Sequence, residues 1–314
     1  MYKVDVLKIK NKLGELSKLL EIYQENYLNM YHQIELSDQD ELWYDPHARS
    51  FFDDKVIEKS NIEDSYSELN EVYDLINNII VMYSNIGGVV EFDLSYKNSI
   101  LSKFNIYKNK LNRILNSYNN LDYSFASSEI ISAIDDQERS IRDQIRLCDI
   151  LKDNIINIID SINIYERDIS KMIKRIFIKK IQTVDVEKYC RVLGNEEYEK
   201  CVINPEEIGN VTKKLNLYSD LESTNFINIL NNLKSVIDYY KTTNTISLNS
   251  LKDNINNKFN SIIDCNSNNI QVFKRNVDMY TRIDEEVTAD ASKMGVWFRW
   301  IMKITCLSQN TLDY

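Results

Sequence analysis

The chain has 314 residues, of which six are Gly and two are Pro, where an ordinary soluble chain carries roughly 12% of the two together. So little turn punctuation excludes a doubly wound α/β fold or a many-turned β-sandwich and leaves long helices joined by few loops. The 38 basic against 48 acidic residues give a formal net charge of −10, which disfavours broad contact with a phosphate backbone, so no nucleic-acid partner is expected.

The first segment places apolar residues at alternating steps of three and four: Val6, Ile9, Leu13, Leu16, Leu20, Tyr23, Tyr27, Met30 and Ile34. This heptad seam predicts one stripe of a helix roughly 45 Å long. Ser37, Asp38 and Asp40 mark its end. A second seam, Ile62, Tyr66, Leu69, Tyr73, Ile76, Ile80 and Tyr83, predicts an antiparallel return arm, joined near Trp43–Phe52 and closed by Gly87-Gly88. Residues 1–88 are thus expected to form one helical hairpin. Residues 89–180 repeat the plan. Phe104, Tyr107, Leu111, Ile114 and Tyr118 form one stripe, and a turn runs from Asn119 to Ser128. The return stripe reads Ile134, Ile141, Cys148, Leu151, Ile155, Ile158, Ile162, Tyr165, Ile169, Met172 and Ile176, interrupted by Gln137 and Gln144.

Residues 181–212 lose the pattern and read as a connector, in which Asn204-Pro205-Glu206-Glu207 has the form of a helix start: a cap, Pro in the first turn, and acids at the positive end. A third hairpin is expected over 213–293. Phe226, Ile229, Leu233, Val236 and Tyr240 form its first arm, and Thr242–Ser247 its turn. Its second arm carries Leu248, Leu251, Ile255, Phe259, Ile262, Ile270, Phe273, Val277 and Tyr280. Residues 294–314 form an apolar tail with Trp297, Phe298, Trp300 and Ile301, too short to span a bilayer and a candidate contact for a partner or a membrane surface. The predicted fold class is all-α: tandem long antiparallel helical hairpins, coiled-coil-like and elongated.

Candidate chemistry is sparse. His32 and His47 are the two histidines, and neither is placed to serve as a base. The acid pairs Asp53-Asp54, Asp135-Asp136 and Glu196-Glu197 suit solvated helix faces. Cys148, Cys190, Cys201, Cys265 and Cys306 fit no zinc spacing, and Cys190 could pair with Cys201 in an oxidising compartment. No catalytic residue, metal site or cofactor is expected, and the chain is read as a non-enzyme. The charged N-terminus carries no secretory signal peptide.

The informative segment is Trp43-Tyr44-Asp45-Pro46-His47-Ala48-Arg49-Ser50-Phe51, between the two arms of the first hairpin. Physically, Trp43 can plug the open end of a two-helix layer, while Asp45 caps the second helix with Pro46 at its first position. The segment resembles the hairpin turn of the WXG/LXG proteins of type VII secretion. Trp43, Ala48 and Phe51 match that pattern in type and spacing, and Asp45 stands where the family has Gly. The family's Tyr-X-X-X-Asp/Glu export signal is resembled by Tyr280-Thr281-Arg282-Ile283-Asp284. The equivalent places at Tyr83 and Tyr165 do not match. LXG-type proteins carry a toxin domain after the helical region, and no room for one is read before Tyr314.

The resemblance implies a helical substrate, partner or adaptor, secreted or held in the envelope by a route independent of a signal peptide, that pairs helix faces with another hairpin protein or with itself. The alternative is an intracellular (cytoplasmic) coiled-coil scaffold or tether. A further alternative is a helical pore-former, with Ile79–Val90 as the membrane hairpin and Gly87-Gly88 as its tip.

Overall fold

The computed structural model describes residues 2–93, 96–122, 124–176, 181, 185–190 and 202–309, with backbone alone at 291 and 295–309. The described residues are all-α apart from short strands. In chain order they are β1 (Tyr2–Asp5), α1 (Val6–Gln39), β2 (Trp43–Tyr44), α2 (Pro46–Ser84), β3 (Val89–Phe92), α3 (Lys97–Asn119), α4 (Ser128–Arg175), α5 (Val186–Tyr189), β4 (Val202–Ile203), α6 (Pro205–Tyr239), β5 (Tyr240–Lys241) and α7 (Thr245–Gln309). The three predicted hairpins are α1–α2, α3–α4 and α6–α7. The residues divide into two compact units, one of 1–17, 70–177 and 231–253, the other of 18–69, 178–230 and 254–314.

In the second unit, segments of α1, α2, α6 and α7 form an antiparallel four-helix arrangement. Tyr27 donates to Glu63 at 3.1 Å between α1 and α2, and Lys258 reaches Glu68 at 2.5 Å between α7 and α2. Asn225 of α6 donates to the Leu19 carbonyl of α1 at 2.8 Å. Phe226 and Phe259 stack with ring centroids 3.9 Å apart, joining α6 to α7. The packed face of α1–α2, which the sequence offers to another protein's hairpin, is here covered by α6 and α7 of the same chain. All nine α1 seam residues are at most 8% exposed.

In the first unit, β1 lies between β3 and β5, antiparallel to both, with Val4 opposite Val90 and Tyr240. Strands this short carry too little alternation to register in a helical sequence. The α3–α4 hairpin packs Leu111 and Leu115 against Ile141 and Cys148, with Lys108 paired to Asp149 at 2.6 Å.

Several boundaries and faces differ from the sequence expectations. Part of the α4 seam shifts by one position: Ile141, Cys148, Ile162 and Ile169 are buried as expected, but Leu151 and Ile158 are exposed while Ile159, Glu166 and Ile173 are buried. Helix α6 begins at Pro205, inside the expected connector. Asn204 accepts from the Glu207 backbone N–H at 3.3 Å, as its place before Pro205 leads one to expect. Helix α7 runs through 294 without a break, so the expected tail continues a helix as far as Gln309. Gly87 and Gly88 do not adopt the left-handed backbone that a glycine closure requires, and the chain passes through them into β3. Ile79, Ile80, Tyr83 and Val90 of the suggested pore hairpin are buried. No helix among the described residues is long and apolar enough to cross a membrane.

Candidate functional site

The connection from α1 to α2 is built from its own sequence. The Leu42 N–H reaches the Ser37 carbonyl at 3.1 Å and the Glu41 N–H reaches that of Asp38 at 3.0 Å. These are the paired bonds of a Schellman ending. Glu41, at φ 48°, takes the left-handed position that Gly usually fills. The chain then straightens into β2, where Trp43 pairs with Ile203 and Tyr44 with Val202 of β4. Asp45 follows, and α2 starts at Pro46, whose missing N–H costs nothing at a first helical position.

Asp45 is the hub of the turn. Its Oδ1 accepts from the Ala48 backbone N–H at 2.6 Å, capping α2. Its Oδ2 accepts from the Trp43 indole N–H at 2.8 Å and from the Tyr280 hydroxyl of α7 at 2.6 Å. The carboxylate is only 3% exposed, so these three donors replace the water it gave up. Around it the Trp43 ring lies 5.6 Å from Phe51 and 6.2 Å from Phe273. Phe51 meets Phe273 at 5.4 Å and Tyr189 at 5.4 Å, both edge-on, the geometry aromatic quadrupoles favour. Trp43, Ala48 and Phe51 are buried. Tyr280 is half-buried, and Asp284, one helical turn further along, is exposed.

Two segments singled out separately in the sequence, Trp43–Phe51 and Tyr280–Asp284, therefore meet at one carboxylate. The pairing spans 235 positions, and no local pattern announces it. The side chains of Trp297, Phe298, Trp300 and Ile301 lie outside the described residues, as do Cys201, Cys306 and the Glu196-Glu197 pair. Cys190 has a free thiol that burial pushes up to about 11, against the pull of Arg275. It is therefore protonated and a poor nucleophile near neutral pH.

Three buried carboxylates, Glu58, Glu166 and Glu222, carry no signal in the sequence pattern. In the first unit Glu166 of α4 is buried, and its carboxylate accepts from the Tyr83 hydroxyl, from Tyr240 at 2.6 Å, from Thr243 at 2.9 Å and from the Asn244 amide at 3.2 Å. Burial first and the nearby tyrosine and carboxylate next push both tyrosines well above the ordinary phenol range. In the second unit Glu222 of α6 accepts from the Asn266 amide at 2.5 Å, and burial raises its carboxyl to about 8 despite that bond. Nearby in the same unit Glu58 accepts from Tyr31 at 2.5 Å and from Asn269 at 2.7 Å, and pairs with Lys55. Each centre ties helices together. Among the described residues, no group of three or more His, Cys, Asp or Glu is placed to hold a metal. Comparison of the chain with family models, curated proteins and solved structures gave no match.

Proposed function

We propose that this chain is a non-enzymatic helical interaction protein of the type VII secretion kind, a substrate, partner or adaptor, in which the α1–α2 turn holds a recognition element of α7 in place. The observation that supports this reading is the shared carboxylate: Asp45 binds both the Trp43 indole and the Tyr280 hydroxyl. In the resemblance, Trp43 belongs to the hairpin-turn motif and Tyr280 to the export signal. Trp43 and Asp45 are buried and act as positioning residues. Tyr280 and Asp284 are the groups an outside reader can reach, and the bond to Asp45 fixes their face of α7. We extend the proposal to Trp297, Phe298, Trp300 and Ile301, further along α7, as a contact for a partner or a membrane surface.

The test is fractionation of the native host culture, with immunoblotting of medium, envelope and cytoplasm for the wild type, Asp284→Ala and Tyr280→Ala. The proposal expects wild type in the medium or envelope and Asp284→Ala retained in the cytoplasm. Asp284 is exposed, so its loss spares the fold. Wild type confined to the cytoplasm overturns export and makes the intracellular scaffold the working reading. Unchanged export of both variants removes Tyr280 and Asp284 from the signal.

A further inference from the structure

Helix α5 is a single turn, Val186–Tyr189, and one turn does not hold itself together in water. Asp185 caps it by accepting from the Glu187 N–H at 3.1 Å. Its other anchors among the described residues belong to α2 and α7 of the second unit. The Tyr189 ring is buried edge-on against Phe51, and its hydroxyl donates to Asp54 of α2. The Lys188 ammonium reaches the same carboxylate at 2.5 Å. Arg275 of α7 pairs with Glu187. Asn276 of α7, itself buried, donates its amide to the Tyr189 carbonyl at 3.1 Å and to the Cys190 sulfur at 3.6 Å.

These anchors are of two kinds. The aromatic contact and the Asn276 bond are buried. The ion pairs are not: Lys188 and Asp54 are 46% and 42% exposed, Arg275 and Glu187 50% and 73%. Exposed pairs each contribute little and are screened by salt. Helices α1, α2, α6 and α7, by contrast, interlock along buried rows many turns long. Helix α5 therefore sits at the weak end of the unit's local stabilities, and its release leaves those rows intact. What it covers gives the release a consequence. Val272, Asn276, Tyr280 and Asp284 follow at steps of four along α7, so each lies one turn beyond the last. The Cys190 thiol donates to the Val272 carbonyl at 3.8 Å, so Tyr189 and Cys190 lie on the first two of these turns. Asp45 holds the third through Tyr280, and Asp284 stands open on the fourth.

We propose that α5 is a releasable strap over the α7 face that leads to Tyr280 and Asp284. Docked, it closes that face at the Val272–Asn276 turn. Released, it uncovers Asn276 and the edge of Phe51, and the face open to a reader runs further back along α7. The strap regulates the site of the proposed function and rests on that reading of Tyr280 and Asp284; its release is measurable without it.

The test uses the full chain and alkylation of Cys190 by N-ethylmaleimide, read by mass spectrometry of the peptide that holds it. The docked thiol is half-buried and kept protonated by burial, so it reacts through the released form. Asp54→Asn keeps an acceptor for the Tyr189 hydroxyl and removes the charge that holds Lys188. It should speed alkylation about fivefold, with helicity and urea midpoint unchanged. Raising NaCl from about 50 mM to about 500 mM should speed the wild type similarly and the variant less. Tyr189→Ala removes the buried anchor and should react fastest. A wild-type rate equal to that of Asp54→Asn in both salts overturns the strap. So does a rate that follows global unfolding in urea, since α5 is then a fixed part of the unit. In the fractionated host culture Asp54→Asn should raise the fraction in medium or envelope above wild type. Faster alkylation with an unchanged exported fraction overturns the regulatory role and leaves the export reading standing. Wild type confined to the cytoplasm removes the export reading and the regulatory role with it, while the alkylation rates still decide whether α5 releases.

Discussion

Glu222→Gln makes the sharpest quantitative demand on the structure. Glu222 is 1% exposed in the second unit, and Asn266 donates to its Oε2 while Oε1 takes no hydrogen bond from the protein. Desolvation therefore dominates, and the carboxyl rises from 4.5 to about 8. The folded state keeps this proton over a range in which the unfolded chain has lost it. The group's contribution is then fully present below about pH 4.5 and is lost as pH rises toward about 8. The slope is about 1.4 kcal/mol per pH unit, so the whole window is worth roughly 5 kcal/mol.

Gln is neutral at every pH and keeps an oxygen for the Asn266 amide. At about pH 5 the two proteins should differ by less than about 1 kcal/mol, whereas at about pH 8.5 the variant should be the more stable by roughly 3–4 kcal/mol. For a chain of this length that is a rise of about 5 °C in midpoint. The assay is thermal and urea unfolding of both proteins across that pH range, monitored by circular dichroism. The pH dependence of every other group cancels in the difference between the two curves. Parallel curves would refute the reasoning, since they would mean that Glu222 is ionised in the folded protein.

Glu166→Gln should have the opposite outcome, because the same carboxylate-to-amide change replaces an acceptor serving four side-chain donors with one that turns an NH2 toward them. A loss of about 2–4 kcal/mol is expected, with faster hydrogen exchange at Tyr240 and in the last turns of α4, and a neutral result would contradict the assigned bonds. Trp43→Ala should destabilise by about 3–5 kcal/mol in urea unfolding, whereas a cost under about 1 kcal/mol would place the indole outside the core. A double-mutant cycle with Asp45→Ala and Tyr280→Phe should give a coupling energy of about 1–2 kcal/mol. Zero coupling would separate the turn from α7 and undercut the shared carboxylate.

Where an apolar residue occupies each seam position, the fold is legible in the sequence. All nine predicted residues of α1 are buried, as are Phe226, Ile229, Leu233 and Val236 of α6 and Tyr240 of β5. The reading slips where the seam is polar. In α4 the true row passes through Lys152 and Glu166, and an apolar search steps one residue aside to Leu151 and Tyr165. In α7 the predicted Ile270 is buried as expected, but Asn266 and Asn269, also buried between Ile262 and Phe273, go unnoticed. Asparagine in a chain rich in it carries no visible signal, and its role emerges only when its partner is placed. The same limit governs the site. The cap at Asp45 is readable because its donor lies three residues on. The bond from Tyr280 is not, because nothing local links residues 235 positions apart.

These buried polar seams also bear on why α1–α2 pairs with α6–α7 of its own chain. Helices whose apolar rows all step by three and four could meet in several registers at similar hydrophobic gain. Polar groups in the row remove that freedom. In the second unit Asn225 reaches the Leu19 carbonyl, Asn266 reaches Glu222, and Asn269 joins Lys55 and Glu58. In the first unit Asn232 reaches the Lys12 carbonyl at 3.0 Å. A slip of one heptad, about 10 Å along the axis, would orphan each of them at about 1–3 kcal/mol apiece. A foreign hairpin would have to supply the same partners at the same heights. The intramolecular pairing is thus specified by groups that contribute little to its strength. In the proposed function, recognition of another molecule falls instead to Asp284, which is exposed on α7.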